Sequence, residues 1–250
     1  MREQQQSAFI LHQRNYSETS LLLEVYTRRH GRLGLIAKGA RRPGNKSRGA
    51  LKAFQPLLIG WSGRGELMVL TGAEPDGAGI ELAGRTLYCG FYLNELLMRL
   101  LHRHDPHEAL YDRYRAALEG LQTRPAHEVV LRIFEKHLLS ELGYGLLLER
   151  DSAERQPIDP AAFYDYVPER GPVRVRHPEL TGRVQGVRLR GSSLLALAAE
   201  RLEDGTALRE VKALMRAALA PHLGDKPLHS RRLFQERAPG IAPIAEELGR

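Results

Sequence analysis

The chain has 250 residues, 42% of them hydrophobic and 27% charged, proportions that leave room for a sizeable core and exclude a disordered chain. Its formal charge is +7, and its one cysteine, Cys89, excludes an internal disulfide framework. The uncharged stretch at 53–63 is too short to span a bilayer and the start, MREQQQSAF, lacks the apolar core of a signal peptide, so a cytoplasmic protein is expected.

The first 75 residues read as short strands separated by turn signals. Strands are expected at 8–13, 20–27, 32–38, 51–61 and 66–70, the last two joined by the glycine turn Ser62-Gly63-Arg64-Gly65. Five short strands in so few residues suggest a small closed sheet. An oligonucleotide-binding (OB) barrel is the leading form and an SH3-like barrel its competitor, because strand count does not separate them.

After Gly79 the apolar spacing becomes helical. Leu87, Phe91, Leu97 and Leu101 mark a helix over 81–102, Leu110, Tyr114, Leu118 and Leu121 a second over 106–122, and Val130, Phe134 and Leu138 a third over 125–142. The span 149–190 holds Pro157, Pro160, Pro168, Pro172 and Pro178 and reads as an irregular insert with a hairpin around 162–175. Helices resume with N-caps at Ser192 or Ser193 and at Thr206, the latter ending near Pro221–Gly224, and a short helix is expected over 230–236. The fold class is α+β: an N-terminal five-stranded OB-type barrel (1–79), then an all-helical domain (80–237) carrying the proline-rich insert, then a tail (238–250).

Catalytic constellations are missing from the sequence. The segment HRHDPHE offers His102, His104 and His107, but a helix–helix link punctuated by Pro106 accounts for it, and position 111 is Tyr where a metalloprotease would need His. Cys89 sits among apolar neighbours as a small hydrophobe. No phosphate-binding GxxxxGK[ST] occurs, so there is no basis for an ATPase. The reading is a binding protein without metal or cofactor.

Charge placement fits an electrostatic funnel for phosphates, although solubility alone also produces basic faces. The first 80 residues hold 12 Lys/Arg against 6 Asp/Glu, whereas the other 170 hold 25 against 24. Between Glu24 and Glu66 lie ten basic residues and no acid, densest in AKGARRPGNKSRGALKAF. Arg28, Arg29, Arg32, Lys38, Arg41, Arg42, Lys46, Arg48 and Lys52 therefore form the expected nucleic-acid-binding set, with no local acid to pair with them. Tyr16, Tyr26, Phe54 and Trp61 are the aromatic candidates for base stacking, and filling the barrel core is their simpler use. Contacts made chiefly to phosphates imply little sequence preference.

YSETSLLLEVYTRRHGRLGLIAKGARR (16–42) resembles the N-terminal signature of the RecO family of recombination mediators. FQPLLIGWSGRGELMVL, LYCGFYLNELLMRLL, ELGYG and LGDKPLHSRRLF resemble further segments of that family in the same order. The resemblance implies an OB domain and a helical domain, binding to single- and double-stranded DNA, annealing of complementary strands, and help in loading the recombinase on DNA coated with single-stranded DNA-binding protein. Its implied partners are RecR and the acidic C-terminal tail of that DNA-binding protein, and its place is the nucleoid. Some members carry a four-cysteine zinc module mid-chain, which a chain with Cys89 alone cannot form. By the same resemblance Arg132, with Lys136 one turn on, is the expected partner of the tail carboxylate. Lys226, Arg231 and Arg232 form a second basic group. A general RNA-binding or ribosome-associated OB protein would account for the charge equally well.

Overall fold

The computed structural model describes residues 2–44, 49–176 and 186–230. Its first five strands are β1 (Arg2–Tyr16), β2 (Ser20–Thr27), β3 (Gly31–Ala37), β4 (Leu57–Ser62) and β5 (Leu67–Pro75). They close a barrel in the order β1-β2-β3-β5-β4, with β1 antiparallel to both β2 and β4 and with β3 parallel to β5. That order is the OB topology, which resolves the alternative left open by strand count.

Alternation along the strands sorts side chains between two cores. Ala8 and Ile10 of β1 point inward, where Leu23, Val25, Leu33, Leu35, Leu57, Ile59 and Trp61 fill the barrel. Phe9, Leu11 and Tyr26 point the other way and join the helical core. The helices are α1 (Arg85–Leu100), α2 (Glu108–Thr123), α3 (His127–Glu141), α4 (Gly191–Ala198) and α5 (Gly205–Leu223). Phe9 meets Tyr111 and Tyr114 of α2 at ring distances of 5.5 and 5.2 Å, and Tyr26 meets the same two tyrosines at 5.5 and 6.2 Å.

A bulge fixes this junction. The β1–β2 register shifts between Ile10 and His12, and the carbonyl of Leu11 accepts a 2.9 Å hydrogen bond from Asn94 Nδ2 of α1. The Tyr114 hydroxyl donates to Asn94 Oδ1, so the buried amide is used on both sides. Tyr26 Oη donates to the carbonyl of His107 at 2.9 Å.

The described part of the insert is more regular than its prolines imply. The expected hairpin is present as β6 (Phe163–Val167) and β7 (Gly171–Arg174), and β8 (Val187–Arg190) adds to the far side of β6, giving the order β7-β6-β8. The domain after the barrel therefore carries a three-stranded sheet besides its helices. The turn before the hairpin is organised by the buried Asp151, whose carboxylate accepts from the backbone N–H groups of Ala153, Glu154 and Gln156 at 2.9, 2.6 and 3.2 Å. α5 is capped by Asp204, which accepts from Ala207 N at 2.9 Å, and not by Thr206. α4 begins at Gly191 without a side-chain cap, and the Ser193 hydroxyl donates to Glu210 at 2.6 Å instead. The helix expected over 230–236 and the tail fall almost entirely outside the described residues.

Candidate nucleic-acid interface

Five members of the expected nucleic-acid-binding set, Arg29, Lys38, Arg41, Arg42 and Lys52, are exposed, and none has an acidic partner among the described residues. Lys38, Arg41 and Arg42 follow β3 directly, where Gly39 takes a positive φ of 66° to turn the chain. Arg41 is tethered to the β1–β2 turn, its backbone N–H donating to Thr19 O at 2.9 Å and its guanidinium to Ser17 O at 3.4 Å. The start of the basic loop thus stands beside the exposed Tyr16. Lys46 and Arg48 lie outside the described residues.

Arg28 and Arg32 are differently placed, and here the expectation of unpaired charge fails. Arg28 lies 2.8 Å from Glu108 and grips Asp112 through both Nε and Nη2, at 3.1 and 2.9 Å. This bond and charge hold the Asp112 carboxyl below its usual range. Arg32 is partly buried, its guanidinium 3.7 Å from Glu24, which also pairs with Arg103. Burial lowers the Arg32 pKa, and the Glu24 charge opposes that effect. Glu108 and Asp112 of α2, and Glu24 on the neighbouring strand, supply the acids that the stretch itself lacks.

Of the four aromatic candidates, Tyr26, Phe54 and Trp61 are buried and only Tyr16 is exposed, at 46%. The outward row of the sheet offers aliphatic surface in their place. Arg14, Leu22, Ile36 and Val69 stand in register across β1, β2, β3 and β5, and Leu22, Ile36 and Val69 belong to neither core. Exposed Arg14 ends this row, and Leu67, 41% exposed, lies in the neighbouring one beside Gly34. Bases could lie on such a strip without being clamped, because aliphatic contact lacks the ring stacking that fixes a base.

Arg132 and Lys136 do not form an open carboxylate site. The Arg132 side chain is 7% exposed and makes a 2.7 Å ion pair with the fully buried Glu135, which also accepts from Tyr92 Oη at 2.6 Å. Lys136 donates to the carbonyls of Leu197 and Ala198 and pairs with Glu200 at 2.6 Å. The next turn of α3 faces a cavity of about 180 Å³ shared with α2. Ala117, Gly120, Val130, Ile133 and Phe134 give it an apolar floor, with Arg113, Arg124 and His137 at its rim. A Cβ at Gly120 would stand 3.3 Å from Val130, so glycine there lets the two helices approach. Glu200 also lines the cavity, paired with Lys136 and, at 2.8 Å, with His137. Burial lowers the His137 pKa against the pull of Glu200. Arg113 and Arg124 were not singled out from the sequence, although the small residues Ala116, Ala117 and Gly120 between them at helical spacing mark a face built for close contact.

The histidines of the α1–α2 link serve separate neighbours. His107 lies between Glu141 at 3.2 Å and Asp105 at 3.3 Å, whereas His104 donates its backbone N–H to Arg32 O. Among the described residues no group of three or more His, Cys, Asp or Glu side chains is placed to hold a metal ion. Cys89 is buried, and desolvation pushes its thiol up to about 11. No helix among the described residues is long and apolar enough to cross a membrane.

The sequence matches two family models, Recombination protein O N terminal over residues 1–77 and Recombination protein O C terminal over residues 82–232. The chain belongs to the RecO family. Proteins named DNA repair protein RecO from Nitrosococcus oceani and Dechloromonas aromatica are 47% and 49% identical over 236 and 234 residues. These matches cover 94% and 92% of this chain and 94% and 95% of the relatives. The RecO protein of Coxiella burnetii is 46% identical over 227 residues, 91% of this chain and 96% of its own. The two RecO segments meet between β5 and α1, where the barrel gives way to the helices.

Proposed function

We propose that this RecO-family chain is a non-enzymatic mediator of DNA repair and recombination in the bacterial cytoplasm, associated with the nucleoid. It binds single- and double-stranded DNA, anneals complementary strands and helps load the recombinase on DNA coated with single-stranded DNA-binding protein. The observation that carries this reading is the run of exposed cations without acidic partners at one end of the barrel, Lys38, Arg41, Arg42 and Lys52, opening onto the aliphatic outer face of β2, β3 and β5.

Annealing needs no nucleotide hydrolysis on this scheme. Two strands repel through their phosphates, and a basic surface that holds both lowers that repulsion. Base pairing then supplies the driving free energy. Contacts confined to the backbone and an aliphatic strip leave the pairing edges of the bases open.

The acidic tail of the single-stranded DNA-binding protein docks in the α2–α3 cavity in this reading. An apolar side chain near the tail's end enters over Ile133 and Phe134, and the terminal carboxylate meets Arg124 and Arg113. Arg132 acts beneath it, holding Glu135 and the helix in place. RecR is the further partner.

The test is an annealing assay with complementary oligonucleotides, bare and coated with single-stranded DNA-binding protein. Acceleration in both states is expected. Failure in either state with the purified full chain refutes the corresponding half of the reading, and an equal preference for complementary RNA strands favours a general RNA-binding role.

A further inference from the structure

The end of the barrel remote from the basic loop carries a second feature. A cavity of about 530 Å³ lies between the β2–β3 turn, the β4–β5 turn and the α1–α2 link. Its polar wall is formed by Arg29, His30, Trp61, Arg64, Glu66 and His104, and its apolar wall includes Leu33, Met68 and Pro106. Arg29 and Arg64 are exposed and have no acidic partner among the described residues. Glu66 is the one acid in the wall, 88% exposed and 3.7 Å from Arg103.

Trp61 lines the cavity from the barrel side. The residue is 1% exposed, yet its indole N–H finds no acceptor among the described residues. An indole nitrogen can only donate, and a buried donor left without an acceptor destabilises the fold. The His30 ring packs edge-on against it, with centroids 5.1 Å apart and planes at 88°, so the indole is held in place. The walls are equally fixed. His104 N donates to Arg32 O at 3.0 Å, and at Gly31 (φ 66°) a Cβ would come within 2.1 Å of the Asp105 carbonyl oxygen, so only glycine allows the link to press so closely on β3.

We infer that this cavity is a phosphate pocket that receives the terminal phosphate of a DNA strand. The inference rests on the DNA-binding reading above and deepens it. Two permanent cations and an unused buried donor call for a ligand that is anionic and rich in acceptors. A terminal phosphate monoester carries up to two charges and three free oxygens, whereas an internal diester carries one charge and two. Arginine suits it because the guanidinium fork bonds two phosphate oxygens at once. The volume falls within the range of about 300–1,000 Å³ usual for small-ligand sites, leaving room for the terminal sugar and base against Leu33, Met68 and Pro106. β3 spans seven residues, about 20 Å at ~3.3 Å per residue, from this pocket to the start of the basic loop. A strand anchored here by its end would run along the outer face of β3 to Lys38.

Trp61 is the only tryptophan in the chain, so its fluorescence reports on the pocket directly. The full-length protein is titrated with inorganic phosphate, with dTMP, and with one short oligonucleotide bearing a 5′-phosphate, a 3′-phosphate or hydroxyls at both ends. The expected result is a saturable change in indole emission with dTMP and with one of the phosphorylated strands. That strand should bind about tenfold more tightly than the hydroxyl-ended one, the equivalent of one charge-assisted hydrogen bond. Arg64→Ala, at an exposed turn, should remove the end preference while the hydroxyl-ended strand still binds, whereas Arg29→Ala should remove the end preference and weaken the binding of all three strands. Equal binding of all three strands with unchanged emission overturns the pocket assignment and leaves general DNA binding standing. A response to inorganic phosphate or dTMP without an end preference assigns the pocket to free anions and overturns the strand-end assignment. An end preference that survives both variants also overturns it. Binding of no strand at all refutes the wider reading first.

Discussion

Replacing Lys38, Arg41 and Arg42 together with Gln should weaken DNA binding and flatten its salt dependence. With Arg29 and Lys52 these are the five members of the expected set that stand exposed without an acidic partner among the described residues. If each neutralises one phosphate, log affinity for single strands falls with log salt at a slope of about −3.5, at ~0.7 per contact. The triple variant keeps two such contacts and a slope of about −1.4. Between 50 and 200 mM salt the parent would then lose about a hundredfold in affinity and the variant about sevenfold. Fluorescence anisotropy of a labelled oligonucleotide across that range reads both slopes. Arg28→Gln is the internal control, because Glu108 and Asp112 already occupy that guanidinium, and its slope should match the parent's. An unchanged slope in the triple variant, or an equal flattening in Arg28→Gln, would refute the assignment.

Arg124→Glu should abolish binding of an acidic C-terminal tail peptide, followed by calorimetry, without moving the thermal midpoint. Arg132→Ala should instead destabilise the fold by about 3–5 kcal/mol, since it removes the guanidinium that is ion-paired to the buried Glu135 carboxylate. Asn94→Ala leaves the Leu11 carbonyl and the Tyr114 hydroxyl without their buried partner, an expected loss of about 2–5 kcal/mol in urea unfolding. Backbone N–H donors, that of Glu154 first, hold the Asp151 carboxyl below its ordinary pKa, so its contribution is present above the unfolded carboxylate range and fades as pH falls through the folded value. The midpoint gap between the parent and Asp151→Asn should therefore shrink on acidification below about pH 4. A constant gap would disprove the linkage.

The barrel was legible because its inward residues alternate with turn signals between them. β2 matches the expectation over 20–27, and β3 differs by one residue at each end. β1 begins earlier than expected because residues 2–7 carry no apolar alternation, yet Arg2, Glu3, Gln6 and Ser7 still pair with β4 across a bulge at Gln4 and Gln5. β4 starts only at Leu57, since the buried Leu51 and Phe54 belong to a turn in which Phe54 takes a positive φ of 62°. Hydrophobicity marked them as core and could not mark them as non-strand. β8 escaped notice because four residues are too few for a period and its partner β6 lies about twenty positions upstream. At the interface, exposed loop cations were readable from composition. Neutralised ones were not, because their acids come from α2 and from the opposite strand. The Ser193 hydroxyl bonds Glu210 on α5 and so could not be identified from local capping rules.

Phe9, Leu11 and Tyr26 turn their backs on the barrel's own interior and lodge among the α2 tyrosines and α1. A fragment cut after residue 79 would present those three side chains to water, and the Leu11 carbonyl would lose the Asn94 amide. The two RecO segments are separable in sequence but share a packed core, so a single unfolding transition is expected. The barrel cannot swing like a jaw on a hinge. The helical body thus serves as a fixed stock from which the described loops at the barrel's ends project.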